Sequence, residues 1–368
     1  MIKKIFKVIV IIFGILAILV ILSIIFFRPD ETIIVDYIKE NPDKVAIKLV
    51  RNDTVLVERN PNKMMPLAST VKILIAIEYA IQAANKQINP ESYISLGELE
   101  KFYIANTDGG AHPSWMKSIK SKIKGDSVSI KEIAKGMIRY SSNANTEWLC
   151  AKLGLENINT RIDNLGIVDH NPIYFIVSAL FIAKEKFPDE QGVSLVKKMR
   201  ELSNDEYISA CNDIHMKLLA DSDYKTKIGE IENRNIQRVW SDYLPASTVS
   251  EYVELMKKIN SKKYFNPTIH SYLDEVMESR LRDNNRSDIF KRYGMKGGST
   301  SFVLTSSFYA TDKEGNQIEL AYFFDDIERI DYPILSDHFY DFADKILINR
   351  EFRNKIRNDL QSSRRSHQ

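Results

Sequence analysis

The chain is poor in the residues around which metal, redox and phosphate sites are usually built. Only two of its 368 residues are cysteine, Cys150 and Cys211, which is too few for a disulfide framework. Cys150 follows Trp148 and Leu149 in an apolar helical stretch and reads as a buried thiol. The six histidines never fall four apart, so none pairs with another on one helix face. His112, His170 and His215 read as surface or loop residues, and no metal or cofactor is expected. An excess of one charge sign is missing too. Lys plus Arg total 51 against 49 Asp plus Glu, a net charge of +2, so nothing draws the chain generally toward nucleic acid. No phosphate-cradling loop appears, since Gly109-Gly110 lies in a polar turn. Nothing in the sequence specifies an oligomeric state.

Long hydrophobic runs are scarce, with one exception. Val8 to Phe27 contains no charged residue, a length sufficient for the hydrocarbon core of a bilayer. Lys3, Lys4 and Lys7 precede it, which places the N-terminus in the cytoplasm. A cleavable signal peptide, the alternative, would have a shorter apolar region and a small-residue cleavage site. Residues 1–28 are therefore expected to form a stub and an uncleaved single-pass anchor in the cell membrane, with the catalytic part outside. The remainder can bury a large core. Its end, 361–368 with Arg364-Arg365, reads as a solvated polar tail.

Three short motifs carry chemistry: Ser69-Thr70-Val71-Lys72, Ser141-Ser142-Asn143 and Lys296-Gly297-Gly298. Alone, each is weak. S-x-x-K also begins at Ser114, Ser121, Ser194 and Ser222, and K-x-G recurs at Lys152, Lys227 and Lys313. Context selects among the copies. Ahead of Ser69 lie two β-like runs, Lys44 to Val50 and Thr54 to Glu58, then Asn60-Pro61-Asn62, and behind it an apolar helical stretch, Val71 to Ala84. A serine at the first turn of a helix sits among unpaired N–H groups that stabilise developing negative charge. Lys72, three residues on, shares its face. As a plain helix cap, Ser69 would do none of this. Ser141 follows an amphipathic helix, Ile130 to Tyr140, and precedes a helical Ala144 to Leu149, so Ser-Ser-Asn also reads as an ordinary cap. Lys296 opens a hairpin, Phe302 to Ala310 and Ile318 to Phe324, and its glycines permit close approach of a ligand or merely mark a bulge.

Taken together, in order and with their flanks, these residues resemble the penicillin-recognising serine hydrolases, most closely class A β-lactamases and related D-alanyl-D-alanine carboxypeptidases. The resemblance runs from about Val45 to Asp325 and includes a threonine-led helix at Leu244 to Val253. It implies an α/β fold of the β-lactamase/transpeptidase type, an antiparallel sheet with flanking helices beside a mainly helical lobe. The α/β lobe would comprise about 31–68 and 286–360, the helical lobe about 69–285, with the site in the seam. It also implies roles. Ser69 would be the nucleophile and Lys72 its proton acceptor. Ser141 would bridge Lys72 and Lys296 and pass a proton to the leaving nitrogen. Asn143, Gly298 and Ser299 would bind substrate, with the backbone N–H groups of Ser69 and Ser299 forming an oxyanion hole. A free lysine titrates near 10.4, so a base working near pH 7 needs about 4 kcal/mol of bias toward the neutral amine. Burial and the Lys296 cation are the expected sources. The substrate would be a small molecule or a peptidoglycan peptide.

Departures from the family pattern shape the expected activity. Gly297 replaces a threonine or serine, removing a hydroxyl for the substrate carboxylate that Ser299 or Thr300 could supply. Ser142 stands in place of an aspartate. The stretch Asn164 to Val177 has no glutamate to drive water onto the acyl-enzyme, and its only acid is Asp169. Slow deacylation follows, with a penicillin-binding sensor or a non-catalytic binding protein as the alternative. Two long spans, Glu98 to Asp126 and Phe187 to Tyr243, are expected to decorate the helical lobe and reshape the cleft. Their aromatic pieces, including Trp240 to Tyr243, either pack in the core or rim the site.

Overall fold

Turn chemistry and alternation set up the sheet. Val45–Arg51 (β1) and Thr54–Arg59 (β2) join through Asn52-Asp53, whose φ angles are 48° and 63°. Two positive φ values give the primed turn whose twist suits a hairpin. Phe290–Ser299 (β3), Leu304–Asp312 (β4) and Gln317–Phe324 (β5) form the rest. All neighbours are antiparallel, in the order β2-β1-β5-β4-β3. The structure is a computed structural model that describes residues 12–14, 16–18, 32–221, 223–227 and 233–365.

Each sheet face is covered by helices, so every strand of the sheet centre is buried on both sides. On one face, Ile33–Glu40 (α1), Tyr332–Ile348 (α9) and Arg350–Arg365 (α10) bring Ile38, Phe339 and Ile356 onto Phe308, Tyr322 and Phe324. On the other, Lys72–Ala84 (α2) and Val249–Asn260 (α7) pack Leu74, Ile77 and Tyr252 against Ala321 and Phe323. Apolar residues occur all around α2, and such a helix belongs in a core; every residue from Lys72 to Ala83 is buried. The threonine-led helix is α7, where Thr248 Oγ1 accepts the Glu251 N–H at 3.1 Å.

The helical lobe holds Ile130–Arg139 (α3), Asn143–Leu153 (α4), Asn204–Ala220 (α5), Arg234–Asp242 (α6) and Pro267–Met277 (α8). In α3 the apolar stripe Ile130, Ile133, Ala134, Met137 is buried while Lys131 and Lys135 are only half-buried. The long span before Tyr243 has its own core, in which Phe181, Tyr207, Cys211 and Ile214 pack together.

Two expectations change. His112 and His215 are 1% and 2% exposed instead of lying on the surface, and His170 is half-buried. A lone histidine has no periodic signature, and here aromatic stacking draws them in: His215 lies between Phe175 and Phe102, with ring centroids 3.6 and 5.0 Å away. Residues 361–365 continue α10 and do not form a separate tail. The expected anchor, Val8 to Phe27, lies outside the described residues except for helical 12–14 and 16–18. Among the described residues no helix is long and apolar enough to cross a membrane.

Candidate active site

Ser69 sits in a 3₁₀ turn, Ala68–Val71, that feeds straight into α2. Ala68 reaches it with φ of 45°, a left-handed value that a residue with a Cβ holds only when its surroundings impose it. Those surroundings are β4: Thr305 Oγ1 donates to the Leu67 carbonyl at 2.8 Å and lies 2.8 Å from Thr70 Oγ1. The turn is thus pinned to the strand beside the third motif, and Ser69 sits immediately ahead of the first turn of α2.

Lys72 and Lys296 are 1% and 4% exposed. Lys72 Nζ donates to the Ser141 carbonyl at 2.7 Å, to Ser141 Oγ at 3.2 Å and to Asn143 Oδ1 at 2.8 Å. Lys296 Nζ donates to Ser141 Oγ at 3.0 Å and to the Gly297 carbonyl at 2.5 Å. One hydroxyl therefore touches both amines. Ser141 holds that place with φ of 70°, another left-handed residue, in the pause between α3 and α4. Among the described residues neither amine has an ion-pair partner. Burial pushes Lys72 down to about 7, with the nearby charge of Asp108 opposing. Burial likewise drives Lys296 well below the usual lysine range, and the Lys72 charge adds to it. The sequence expectation made Lys296 the cation that depresses Lys72. Desolvation is the leading cause at both, and the pressure of the neighbouring amine falls on Lys296 instead, where the Lys72 charge adds to burial.

The glycines of the third motif answer to contacts. A Cβ at Gly298 would overlap the Ser69 peptide nitrogen, so β3 passes directly over the backbone N–H proposed for an oxyanion hole. Its register pairs Gly298 with Thr305 and Ser299 with Leu304. At Gly297 a Cβ would overlap the Tyr340 hydroxyl from α9. The side of the motif where a hydroxyl is missing is thus faced by the Tyr340 hydroxyl, and Tyr340 lines the cavity together with Arg280. Thr300 is occupied elsewhere, accepting from Ser241 Oγ at 2.9 Å. Ser299 is exposed.

Sequence reasoning looked for a carboxylate on the 164–177 loop. Asp169 is exposed, its carbonyl accepts from Ser247 Oγ at 2.6 Å, and it does not line the cavity. The carboxylates that do line it are Asp108 and Glu147. Asp108 accepts the N–H groups of Ala111 and His112 at 3.1 and 2.9 Å. Glu147, 2% exposed, accepts from Val177 N at 2.9 Å, Ser178 N at 3.3 Å and Ser178 Oγ at 2.5 Å, with His215 Nδ1 3.3 Å away. Glu147 was legible in principle, because it lies four residues after Asn143 on one helix face. Tyr340 and Arg280 left no local signal. Both cysteines are free and buried, and burial raises the Cys150 thiol, which keeps it unreactive.

An elbowed serine, a pair of buried amines bridged by a second serine, and a glycine strand over the nucleophile's N–H define a serine acyl-transfer centre. The chain belongs to the β-lactamase enzyme family, whose model matches residues 31–294, and it is a serine hydrolase of the β-lactamase type. That match ends just before Lys296, so the third motif rests on the geometry above. No curated protein matches the chain. Its fold is similar to a class A β-lactamase from Bacteroides cellulosilyticus, at TM-score 0.51 and 16% identity, covering 91% of this chain and 99% of that one. It is also similar to a β-lactamase from Chitinophaga pinensis, at TM-score 0.51 and 13% identity, covering 90% and 99%.

Proposed function

We propose that the chain is a membrane-anchored, extracytoplasmic hydrolase that forms an acyl-enzyme on Ser69 from a β-lactam or a D-alanyl-D-alanine-type peptide amide and releases it slowly. The observation that carries this reading is Ser141 Oγ, at 3.2 and 3.0 Å from the two amines. Neutral Lys72 takes the proton as Ser69 Oγ attacks the carbonyl carbon. The N–H groups of Ser69 and Ser299 hold the oxyanion. Collapse breaks the C–N bond, and Ser141 delivers a proton to the departing nitrogen while Lys72, carrying the proton it took from Ser69, restores the one Ser141 gave up; Lys296 holds Ser141 Oγ in place. With its Oδ1 engaged by Lys72, Asn143 presents Nδ2 to the substrate amide, and Tyr340 with Arg280 faces the substrate carboxylate.

Slow release is supported by the state of the carboxylates. Asp108 and Glu147 are committed to backbone N–H groups and Asp169 is remote, so none of these three is free to activate water. General-base assistance is typically worth about two to four factors of ten. Penicillin hydrolysis should therefore show a burst, then a slow steady rate, and mass spectrometry should place the adduct on Ser69. Fast multiple turnover without a burst would make this an efficient β-lactamase, and a label that never leaves would make it a sensor.

The anchor reading rests on the charge-free stretch Val8 to Phe27 and the lysines before it. External protease on intact cells should remove the catalytic part, while high salt should fail to release it from membranes. Recovery of the full chain in the soluble cytoplasmic fraction would overturn it.

A further inference from the structure

The long span Glu98 to Asp126 brings one buried side chain up behind the second motif. His112 lies on the helix Ala111–Ser118, with Nδ1 2.9 Å from Ser142 Oγ and Nε2 3.3 Å from Glu100 Oε1. A carboxylate only accepts, so Nε2 carries the hydrogen and the neutral ring offers Nδ1 as an acceptor. Ser142 Oγ–H then points at Nδ1, the nearer of two acceptors, with Asn145 Oδ1 at 3.1 Å. The same oxygen accepts the Asn145 N–H at 3.2 Å and so caps α4.

The ring has little freedom. It stacks on Tyr103 with centroids 4.7 Å apart and leans on Trp115 at 5.3 Å, while Asp108 accepts the His112 backbone N–H at 2.9 Å. His112 lines no part of the cavity around Ser69, so it does not touch a substrate held there. Its hydrogen bond enters a peptide whose placement matters. Ser142 otherwise bonds to Gly136, Asn145 and Thr146, on the helices either side. Ser141, just before it, is left-handed, and such a residue persists only where its surroundings over-determine it. From that conformation the Ser141 carbonyl and Oγ both reach Lys72, and Oγ also reaches Lys296.

We propose that His112 is a positioning residue for acyl transfer. By holding Ser142 Oγ it fixes the Ser141–Ser142 peptide, and with it the Ser141 hydroxyl at the point from which its proton passes to the nitrogen released when the C–N bond breaks. Lys72, protonated by Ser69, then reprotonates Ser141, so the step takes no proton from His112. Glu100, by accepting from Nε2, keeps Nδ1 free to accept. This deepens the acyl-enzyme reading and rests on it.

The test compares two acyl donors on the full chain in detergent, with adducts followed by intact mass. Benzylpenicillin releases an amine that must be protonated, whereas a phenylacetylglycyl thioester releases a thiolate that departs without a proton. His112→Phe keeps the ring stacking and loses Nδ1. It should slow acylation by benzylpenicillin about ten- to a hundredfold, part of what a placed proton donor is typically worth, and slow the thioester less than about threefold. Two amides guard against a variant that does not fold. His112→Asn, whose Oδ1 falls near the place of Nδ1, should stay close to wild type, while His112→Gln, which reaches toward Glu100 instead, should be slow with penicillin alone. Adding His112→Gln to Ser142→Ala should cost nothing more, because both act through one hydrogen bond. Equal losses on both donors, additive losses in the double variant, or an unchanged penicillin rate would overturn the proposal. A crystal structure of His112→Gln separates it from the reading beneath it. Ser141 Oγ displaced from between Lys72 and Lys296 supports the positioning role even if Ser69 is never acylated, and Ser141 unmoved sinks it even if Ser69 is.

Discussion

The Lys72–Ser141–Lys296 cluster and the Glu147–Ser178–His215 cluster are both buried and both border one cavity, but they satisfy their charges differently. Around Glu147, two peptide N–H groups and a hydroxyl converge on one carboxylate, which is how a buried anion is normally tolerated. Around the lysines, two amines face one hydroxyl and carbonyl oxygens, with no carboxylate in contact. Such a pair avoids the desolvation penalty by giving up protons. Compensated charge makes a strut, in this case for the backbone at Val177 and Ser178, whereas the uncompensated amines have the lowered basicity that the proposed proton transfer from Ser69 requires.

The sharpest way to break that contrast is Lys72→Arg. A permanently protonated guanidinium cannot accept from Ser69, so acylation should fall by about a thousandfold or more, close to Lys72→Ala, as read by adduct formation over time. Retained acylation would mean another group takes the proton. A smaller effect is expected from pH alone. Lys72 near 7 is cationic below that value and neutral above it, so acylation should be flat above about pH 8 and drop about a hundredfold by pH 5. Because the two amines are coupled, the midpoint belongs to the pair. An acid-side optimum would reverse the assignment of base. Glu147→Gln should act mainly on stability, lowering it by about 2–4 kcal/mol in thermal or urea unfolding, with acylation changed less than tenfold. Adduct piling up in that variant, with acylation intact, would instead identify Glu147 as the group that drives deacylation.

What could be read from sequence follows the same division. Ser69, Lys72, Ser141 and Asn143 are locally specified: a turn, a helix start and a pause between two helices each leave a signature within a few residues. Lys296 was readable because glycines on a strand are informative. Tyr340 was invisible, since its arrival at Gly297 depends on how α9 crosses the sheet edge. Trp240 stood between rim and core, and it lines the cavity while packing against the Ala68 cluster. The 164–177 loop was read as lacking a glutamate, with Asp169 its only acid, and Asp169 is exposed and does not line the cavity. Of the two acids that do line it, Asp108 is held by N–H groups three and four residues on, whereas Glu147 comes from α4 and its hydrogen bonds are long-range.

The sheet order also sets a timetable. β1 is made early, yet it pairs along its whole length with β5, from Val45 with Phe324 to Arg51 with Ile318, and Lys296 is synthesised 155 residues after Ser141. An isolated β1–β2 hairpin is marginal in water, and the core around α2, begun by α3 and α4, is not closed until α8 and the late strands exist. A ribosome-bound or C-terminally truncated chain would therefore carry Ser69 and Lys72 with an ordinary, protonated amine and no bridge to Lys296. Chemical reactivity in this molecule begins only when synthesis is nearly complete, so the nucleophile stays dormant throughout its own translation.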